Sequence, residues 1–207
     1  MWFDWRFENL DHIPSSGPAI VACNHLSYLD PLANAYAVVK AGRRPRFLAK
    51  DELFKIPVVG SALNGAKQIP VDRSSRDATP LRKAQQALRA GEVVVIYPEG
   101  TVTDRVDHLP MEGRTGTVRL SLASGIPIVP LASWGSQAVW QKSGRGSLKY
   151  GRPVWLKAGE PIDLSARTGD ADDRPALKEM TAQVMAKLTE LVVDLRDRYP
   201  SRWSDDR

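Results

Sequence analysis

The stretch VACNHLSYLDPLAN, residues 21–34, sets the imidazole of His25 directly behind an apolar run, with the carboxylate of Asp30 five positions further on. Histidine has an ordinary pKa of about 6.5, so its neutral ring can accept a proton near neutrality. A carboxylate on the second ring nitrogen fixes the tautomer and stabilises the imidazolium that forms. Asp30 is near enough in sequence for a tight loop to fold it back onto His25. The same spacing also suits an aspartate that only caps the next helix and a histidine that is only a loop residue. Two further stretches carry chemistry-bearing side chains behind apolar runs. In YPEGT (97–101), Pro98 ends a strand, Glu99 puts an acid at the sheet's edge, Gly100 allows close backbone approach to a ligand, and Thr101 can cap the next segment. In IPVDR (69–73), the guanidinium of Arg73 can grip a phosphate through two parallel hydrogen bonds, or pair with Asp72 or Asp77 on the surface.

Several chemistries drop out. A Ser-His-Asp hydrolase needs a G-x-S-x-G elbow, and none is present. Cys23 alternates to the opposite face from Asn24 and reads as a small core thiol. Without a protein nucleophile, His25 would deprotonate a substrate hydroxyl directly, which means one-step group transfer to an alcohol. The chain has 3 histidines, no H-E-x-x-H and a single cysteine, so no metal site is expected. GSALNGAKQ departs from a P-loop at Ala66 and lacks Ser or Thr after Lys67, and no G-x-G-x-x-G occurs. Neither nucleotide hydrolysis nor dinucleotide binding is expected.

These side chains must be positioned by a chain of 207 residues, enough for one domain with a sizeable core. Apolar content of 43% and charged content of 26% are ordinary for a globular protein. One cysteine permits no internal disulfide and fits a reducing compartment. No run reaches the roughly 18 apolar residues of a membrane span, and the start MWFDWRFENLD lacks a basic n-region, so a cytoplasmic location is expected. The net charge of +5 favours anionic partners. Cations cluster at Lys40, Arg43, Arg44, Arg46 and Lys50, but in no recognised nucleic-acid motif, so nucleic acid is not an expected partner.

Strand-like and helix-like runs alternate. Residues 19–24 read as a buried strand, and Asp30-Pro31 reads as a cap and first turn of a helix that Gly42 closes. RFLAK is a second strand. DELFKIPVVGSALNGA is helical with interruptions at Pro57 and Gly60. QIPVD is a short strand, TPLRKAQQALRAG a helix, VVVIYPEG the clearest buried strand, GTVRLSLASG a helix and IPIVPLASW a strand. SLKYGRPVWLKAGEPI looks like two strands around a glycine turn. Leu177, Met180, Val184, Leu188, Leu191 and Leu195 then mark one stripe of a long helix. The expected fold is α/β: a single domain spanning 1–207, with a mostly parallel central sheet flanked by helices and a long C-terminal helix. Sites in such folds sit where strands end in loops, as His25 and Glu99 do.

Taken in order, NHLSYLD, AKDELFKIPVVGSALNGAKQIPVDR, YPEGT and GRTGTVRLSLASGIPIVPLA resemble the glycerolipid acyltransferase family of the 1-acyl-glycerol-3-phosphate (lysophosphatidate) acyltransferase type. The match covers about residues 17–136. The resemblance implies transfer of a fatty acyl group from acyl-CoA or acyl carrier protein to the free hydroxyl of lysophosphatidate, giving phosphatidate, with no cofactor beyond the donor thioester. The alternatives are the same chemistry on another lysophospholipid, a glycolipid or a polyol, and a non-catalytic basic lipid-binding module. It implies that His25 is the general base and that Asp30 orients and charges it. Arg73, Glu99, Gly100 and Thr101 would hold the glycerol-phosphate acceptor, and Lys50 and Arg114 would contact its phosphate. Val129 and Pro130 would lie near the acyl or donor path.

The chain also departs from the family pattern. The third block usually continues Arg-Ser, whereas Val102-Thr103 follows here, leaving Arg105 or Arg114 to compensate for a missing cation. Only 24 residues precede His25, too few for the membrane helices of many relatives. Peripheral contact with the membrane, on its cytoplasmic face, would then fall to Trp2, Phe3, Trp5 and Phe7, or to Leu53–Ala62 beside the Arg43–Arg46 cluster. The alternative for the N-terminal aromatics is packing against the sheet.

Overall fold

The computed structural model describes residues 2–72 and 79–203. Its strands are β1 (Asp4–Glu8), β2 (Ala19–Cys23), β3 (Pro45–Lys50), β4 (Ile69–Val71), β5 (Val93–Ile96), β6 (Ile128–Trp134) and β7 (Pro153–Ala158). They form a 7-stranded sheet in the order β1-β7-β6-β2-β5-β3-β4. Every pairing is parallel except β6 with β7. The helices are α1 (Asp30–Lys40), α2 (Asp51–Phe54), α3 (Pro57–Gly65), α4 (Thr79–Arg89), α5 (Gly116–Ser124) and α6 (Arg174–Asp197).

Central β2 and β5 read AIVAC and VVVI, and all of their residues are buried, as a strand covered on both faces requires. Alternation divides them between two layers. Ala19, Val21, Cys23, Val93 and Val95 pack on Ala33, Ala37 and Val38 of α1. Ile20, Ala22, Val94 and Ile96 face Leu88 of α4, Leu120 of α5 and the Leu177, Met180, Leu188 stripe of α6. Ala22 lies opposite Ile96 on one side and Pro130 of β6 on the other. The carboxyl ends of β2 and β5 therefore finish side by side, β6 runs on from Leu131 opposite Cys23 to Trp134, and the loops they release meet over one edge of the sheet.

The structure differs from the sequence reading in three places. DWRFE, which carries no strong strand signal, forms edge strand β1, paired with β7. Trp5 and Phe7 stand 5.2 and 5.1 Å from the Tyr36 ring of α1, so with Phe3 they pack on the sheet, and only Trp2 is exposed. Of SLKYGRPVWLKAGEPI only Pro153–Ala158 is a strand, because β1 and β6 already occupy both edges of β7. Gly60 does not interrupt its helix. A Cβ there would lie 2.1 Å from the Phe54 carbonyl oxygen, so the glycine lets α3 cross close over α2. The break falls at Pro57, which opens α3 after extended Ile56.

Gly135, directly after β6, has φ +97°, and a Cβ would sit 2.3 Å from the Pro153 carbonyl oxygen and 2.8 Å from the Tyr199 hydroxyl. That hydroxyl donates to the same carbonyl at 2.7 Å, so neither atom can yield cheaply. Gly135→Ala is expected to cost about 2 kcal/mol or more and to lower the thermal midpoint by about 4 to 8 °C. A calorimetric midpoint within a degree or so of wild type would show that the turn tolerates a side chain.

Candidate active site

Beyond the last residue of β2, the Asn24 side chain extends the sheet by one step. Its amide donates to the Ser133 carbonyl at 3.1 Å and its oxygen accepts from the Ser133 N–H at 2.8 Å. The chain then turns sharply. Asp30 is the first residue of α1 rather than its cap, and its carboxylate points back over the loop. Oδ2 accepts from the backbone N–H of Leu26 at 2.5 Å, from that of Ser27 at 2.8 Å, and meets His25 Nδ1 at 2.9 Å. Oδ1 accepts from the Ser136 hydroxyl at 2.5 Å. Asp30 is wholly buried. A carboxylate offers only acceptor sites, so the network assigns the hydrogen to Nδ1 and leaves Nε2 with its lone pair.

The imidazole is clamped from other directions as well. Its ring stacks on Tyr97, centroids 4.2 Å apart. The Tyr97 hydroxyl accepts from the Asn34 amide at 3.0 Å, and burial pushes this phenol well above its ordinary pKa, so it stays neutral. The His25 N–H donates to Glu99 Oε1 at 2.8 Å, and the His25 carbonyl accepts from the Thr103 N–H at 2.8 Å. Glu99 Oε2 accepts from the Met111 N–H at 2.9 Å. Burial pushes the Glu99 carboxyl up to about 7, only partly offset by the N–H donors of Met111 and His25. The Glu99–Thr103 segment thus grips the main chain of His25 at both its donor and its acceptor.

The expected site residues separate into groups. His25, Asp30 and Glu99 come into direct contact through the bonds above. Gly100, φ +74°, lies under Arg114, where a Cβ would stand 3.1 Å from Nε. Arg114 is anchored by its N–H to the Pro98 carbonyl at 2.9 Å, and its exposed guanidinium makes no hydrogen bond or ion pair among the described residues. Arg105 differs: it is held at 2.9 and 2.6 Å by Asp107. Of the two candidates for the missing cation, Arg114 is the uncommitted one. Thr101 is half-buried in the same turn, and Lys50, at the end of β3, is exposed and paired with Glu52 at 3.0 Å. Val129 and Pro130 sit within β6, opposite Val21 and Ala22, inside the sheet rather than among the loops. Arg73 lies outside the described residues.

Tyr97, Ser136, Thr103 and Met111 escape the sequence reading. Alternation along VVVIY places Tyr97 in register with Val93 and Val95 on the α1 face, which is a usable signal. Ser136 is 106 positions from Asp30 and carries none. Cys23 is fully buried, and burial raises its thiol well above the ordinary value, so it is no nucleophile at neutral pH. The arrangement offers a fixed imidazole lone pair and, over the Gly100 turn that follows Glu99, an uncommitted guanidinium, which suits proton abstraction from a hydroxyl on an anionic substrate.

Comparison with known proteins accords with this geometry. Residues 4–134 match the family model described as Acyltransferase. A 1-acyl-sn-glycerol-3-phosphate acyltransferase of Bacillus subtilis is 27% identical over 183 residues, covering 88% of this chain and 85% of that protein. An uncharacterised protein of Mycobacterium leprae is 32% identical over 150 residues, 67% of this chain and 38% of that one. The crystal structure of the 1-acyl-sn-glycerophosphate (LPA) acyltransferase PlsC from Thermotoga maritima superposes with a TM-score of 0.72 at 25% identity, over 96% of this chain and 74% of that one.

Glu99 links the site to stability. Its carboxyl binds a proton more tightly in the fold than in the unfolded chain, so the group adds stability that is full below about 4.5 and lost as pH rises through about 7. Glutamine has one acceptor oxygen and would set its NH₂ against an N–H donor, at a cost of about 1–3 kcal/mol. Glu99→Gln should therefore lower the thermal midpoint at acid pH and flatten its decline between about pH 5 and 8. An unchanged midpoint with an unchanged slope would contradict this placement of the carboxyl.

Proposed function

This chain belongs to the Acyltransferase family and is an acyltransferase, and we propose that it moves a fatty acyl group from an acyl thioester, acyl-CoA or acyl carrier protein, to the free hydroxyl of lysophosphatidate. The observation that carries the reading is the buried His25–Asp30 pair, with Nε2 unengaged and Nδ1 held at 2.9 Å. The relative from Bacillus subtilis supports the acceptor, since its name specifies 1-acyl-sn-glycerol-3-phosphate.

In the proposed reaction Nε2 of His25 takes the hydroxyl proton as that oxygen attacks the thioester carbonyl. The tetrahedral oxyanion collapses, the C–S bond breaks, and the departing sulfur recovers the proton from the imidazolium. Asp30 stabilises that imidazolium and keeps the ring from turning. Thioesters are already activated, so a positioned base is worth about 10²- to 10⁴-fold. Neither a covalent enzyme intermediate nor a cofactor besides the donor is required.

Arg114, over the Gly100–Thr101 turn, is assigned to the acceptor phosphate, and Lys50 and Arg73 are proposed as further cations for it. Glu99 is assigned to the frame of His25, because both its oxygens are committed to backbone N–H groups. Among the described residues no helix is long and apolar enough to cross a membrane. The proposed location is the cytoplasmic face of the membrane, as a peripheral protein reaching an acceptor that resides in the bilayer. Leu53, Ile56, Val58 and Val59 of the α2–α3 hairpin are exposed, which supports such contact.

Purified protein with lysophosphatidate and acyl-CoA should release free thiol and form phosphatidate. His25→Ala should lower turnover by about 10²-fold or more with an unchanged circular dichroism spectrum, and wild-type turnover in that variant would end the assignment. Arg114→Ala should raise the acceptor KM about tenfold while leaving the donor KM within twofold. Equal increases in both would place Arg114 on the donor instead. A panel of other lysophospholipids, glycolipids and polyols identifies the acceptor if lysophosphatidate is not turned over.

A further inference from the structure

From Ala138 to Gly159 the chain contains no aspartate or glutamate, while it carries Lys142, Arg145 and Lys149 between Trp140, Leu148 and Tyr150. The three apolar side chains are 52%, 68% and 73% exposed. Large apolar groups left in water, alternating with cations, are the pattern of a surface that meets the headgroup layer of a bilayer. The segment is fastened to the loop that carries the imidazole. The Trp140 carbonyl accepts from the Ser27 hydroxyl at 2.7 Å and from the Tyr28 N–H at 3.1 Å, and the Tyr28 and Trp140 rings stand edge to face at 5.6 Å. At its far end the Leu148 carbonyl accepts from the Trp2 indole at 3.0 Å. The Arg145 guanidinium has no partner among the described residues, and Lys142 meets only exposed Asp104 at 3.7 Å.

We propose that residues 139–151 form a docking surface for an anionic phospholipid bilayer, setting the His25 loop against the membrane so that a lipid hydroxyl need not leave it. The inference rests on the reading of a lipid acceptor and names the surface that presents it. Charge complementarity selects the occupant. A second copy of this chain would bring the same cations face to face across a two-fold axis, whereas an anionic headgroup layer neutralises them.

The test is sedimentation of the full chain with vesicles of phosphatidylcholine alone and with about a third phosphatidylglycerol. Wild type should bind the anionic vesicles, more weakly as salt is raised. Lys142→Glu/Arg145→Glu and Leu148→Ser/Tyr150→Ser should each reduce partitioning about tenfold or more. Val58→Ser/Val59→Ser, on the α2–α3 hairpin, should reduce it far less. Thiol release with a short-chain acceptor dissolved as monomers should be unchanged in all three, and release with vesicle-embedded acceptor should fall in the first two. Binding retained by both loop variants, loss confined to the hairpin variant, or a wild-type dimer that loop variants convert to monomer would each overturn the proposal. Loop-dependent vesicle binding without any thiol release would uphold the surface and remove the acyltransfer reading.

Discussion

The carboxylate of Asp30 is the interaction on which the rest depends. A buried carboxylate without donors is among the costliest features a fold can contain. Here the N–H groups of Leu26 and Ser27, the hydroxyl of Ser136 and the ring of His25 all converge on it. Hydrogen bonds to a charged group are each worth about 1.5–3 kcal/mol. Closing the 24–30 loop is therefore the condition for burying the charge, and the orientation of the imidazole follows from that closure. The histidine is held because the aspartate must be satisfied.

The sheet makes that convergence possible. Parallel β2, β5 and β6 point the same way, so three loops far apart in sequence share one edge. The first brings His25 and Asp30, the second Tyr97, Glu99 and Thr103, the third Ser136. Each loop bonds to the loop of β2 through backbone or buried side-chain groups, and those bonds do not rely on exposed flexible residues. The cation assigned to the acceptor, Arg114, is by contrast exposed and carried over a glycine turn. On the proposed assignment the site combines a rigid base with an adaptable anion grip. Such a division fits a substrate whose hydroxyl must be placed closely but whose phosphate can be met over a wider range.

How much of this was legible depended on whether the deciding contacts were local. The β2–α1 and β5 elements were readable because runs such as AIVAC and VVVI are buried on both faces, and five residues bounded the reach of Asp30. The interior helices were readable from their apolar stripes. β1 was not, because DWRFE mixes charges with aromatics and becomes a strand only through the free edge of β7. Ser147–Tyr150 failed as a strand for the matching reason, that the edge was taken. Glu99 was legible as an acid at a strand end, but its orientation was not. The family resemblance implied a group that holds the acceptor, and the structure shows both its oxygens accepting from backbone N–H groups. Ser136 was invisible, since a serine after a strand carries no sign of a partner 106 positions earlier.

The central claim is that Asp30 fixes His25 as the tautomer hydrogenated on Nδ1, with Nε2 free to take a proton. Long-range nitrogen–proton correlation spectra of the protein labelled with ¹⁵N histidine observe this directly. The account predicts a His25 signal pair at about pH 8 with a protonated Nδ1 and an unprotonated Nε2, and loss of that preference in Asp30→Asn. A wild-type ring carrying its hydrogen on Nε2, with Nδ1 bare toward Asp30, would contradict it.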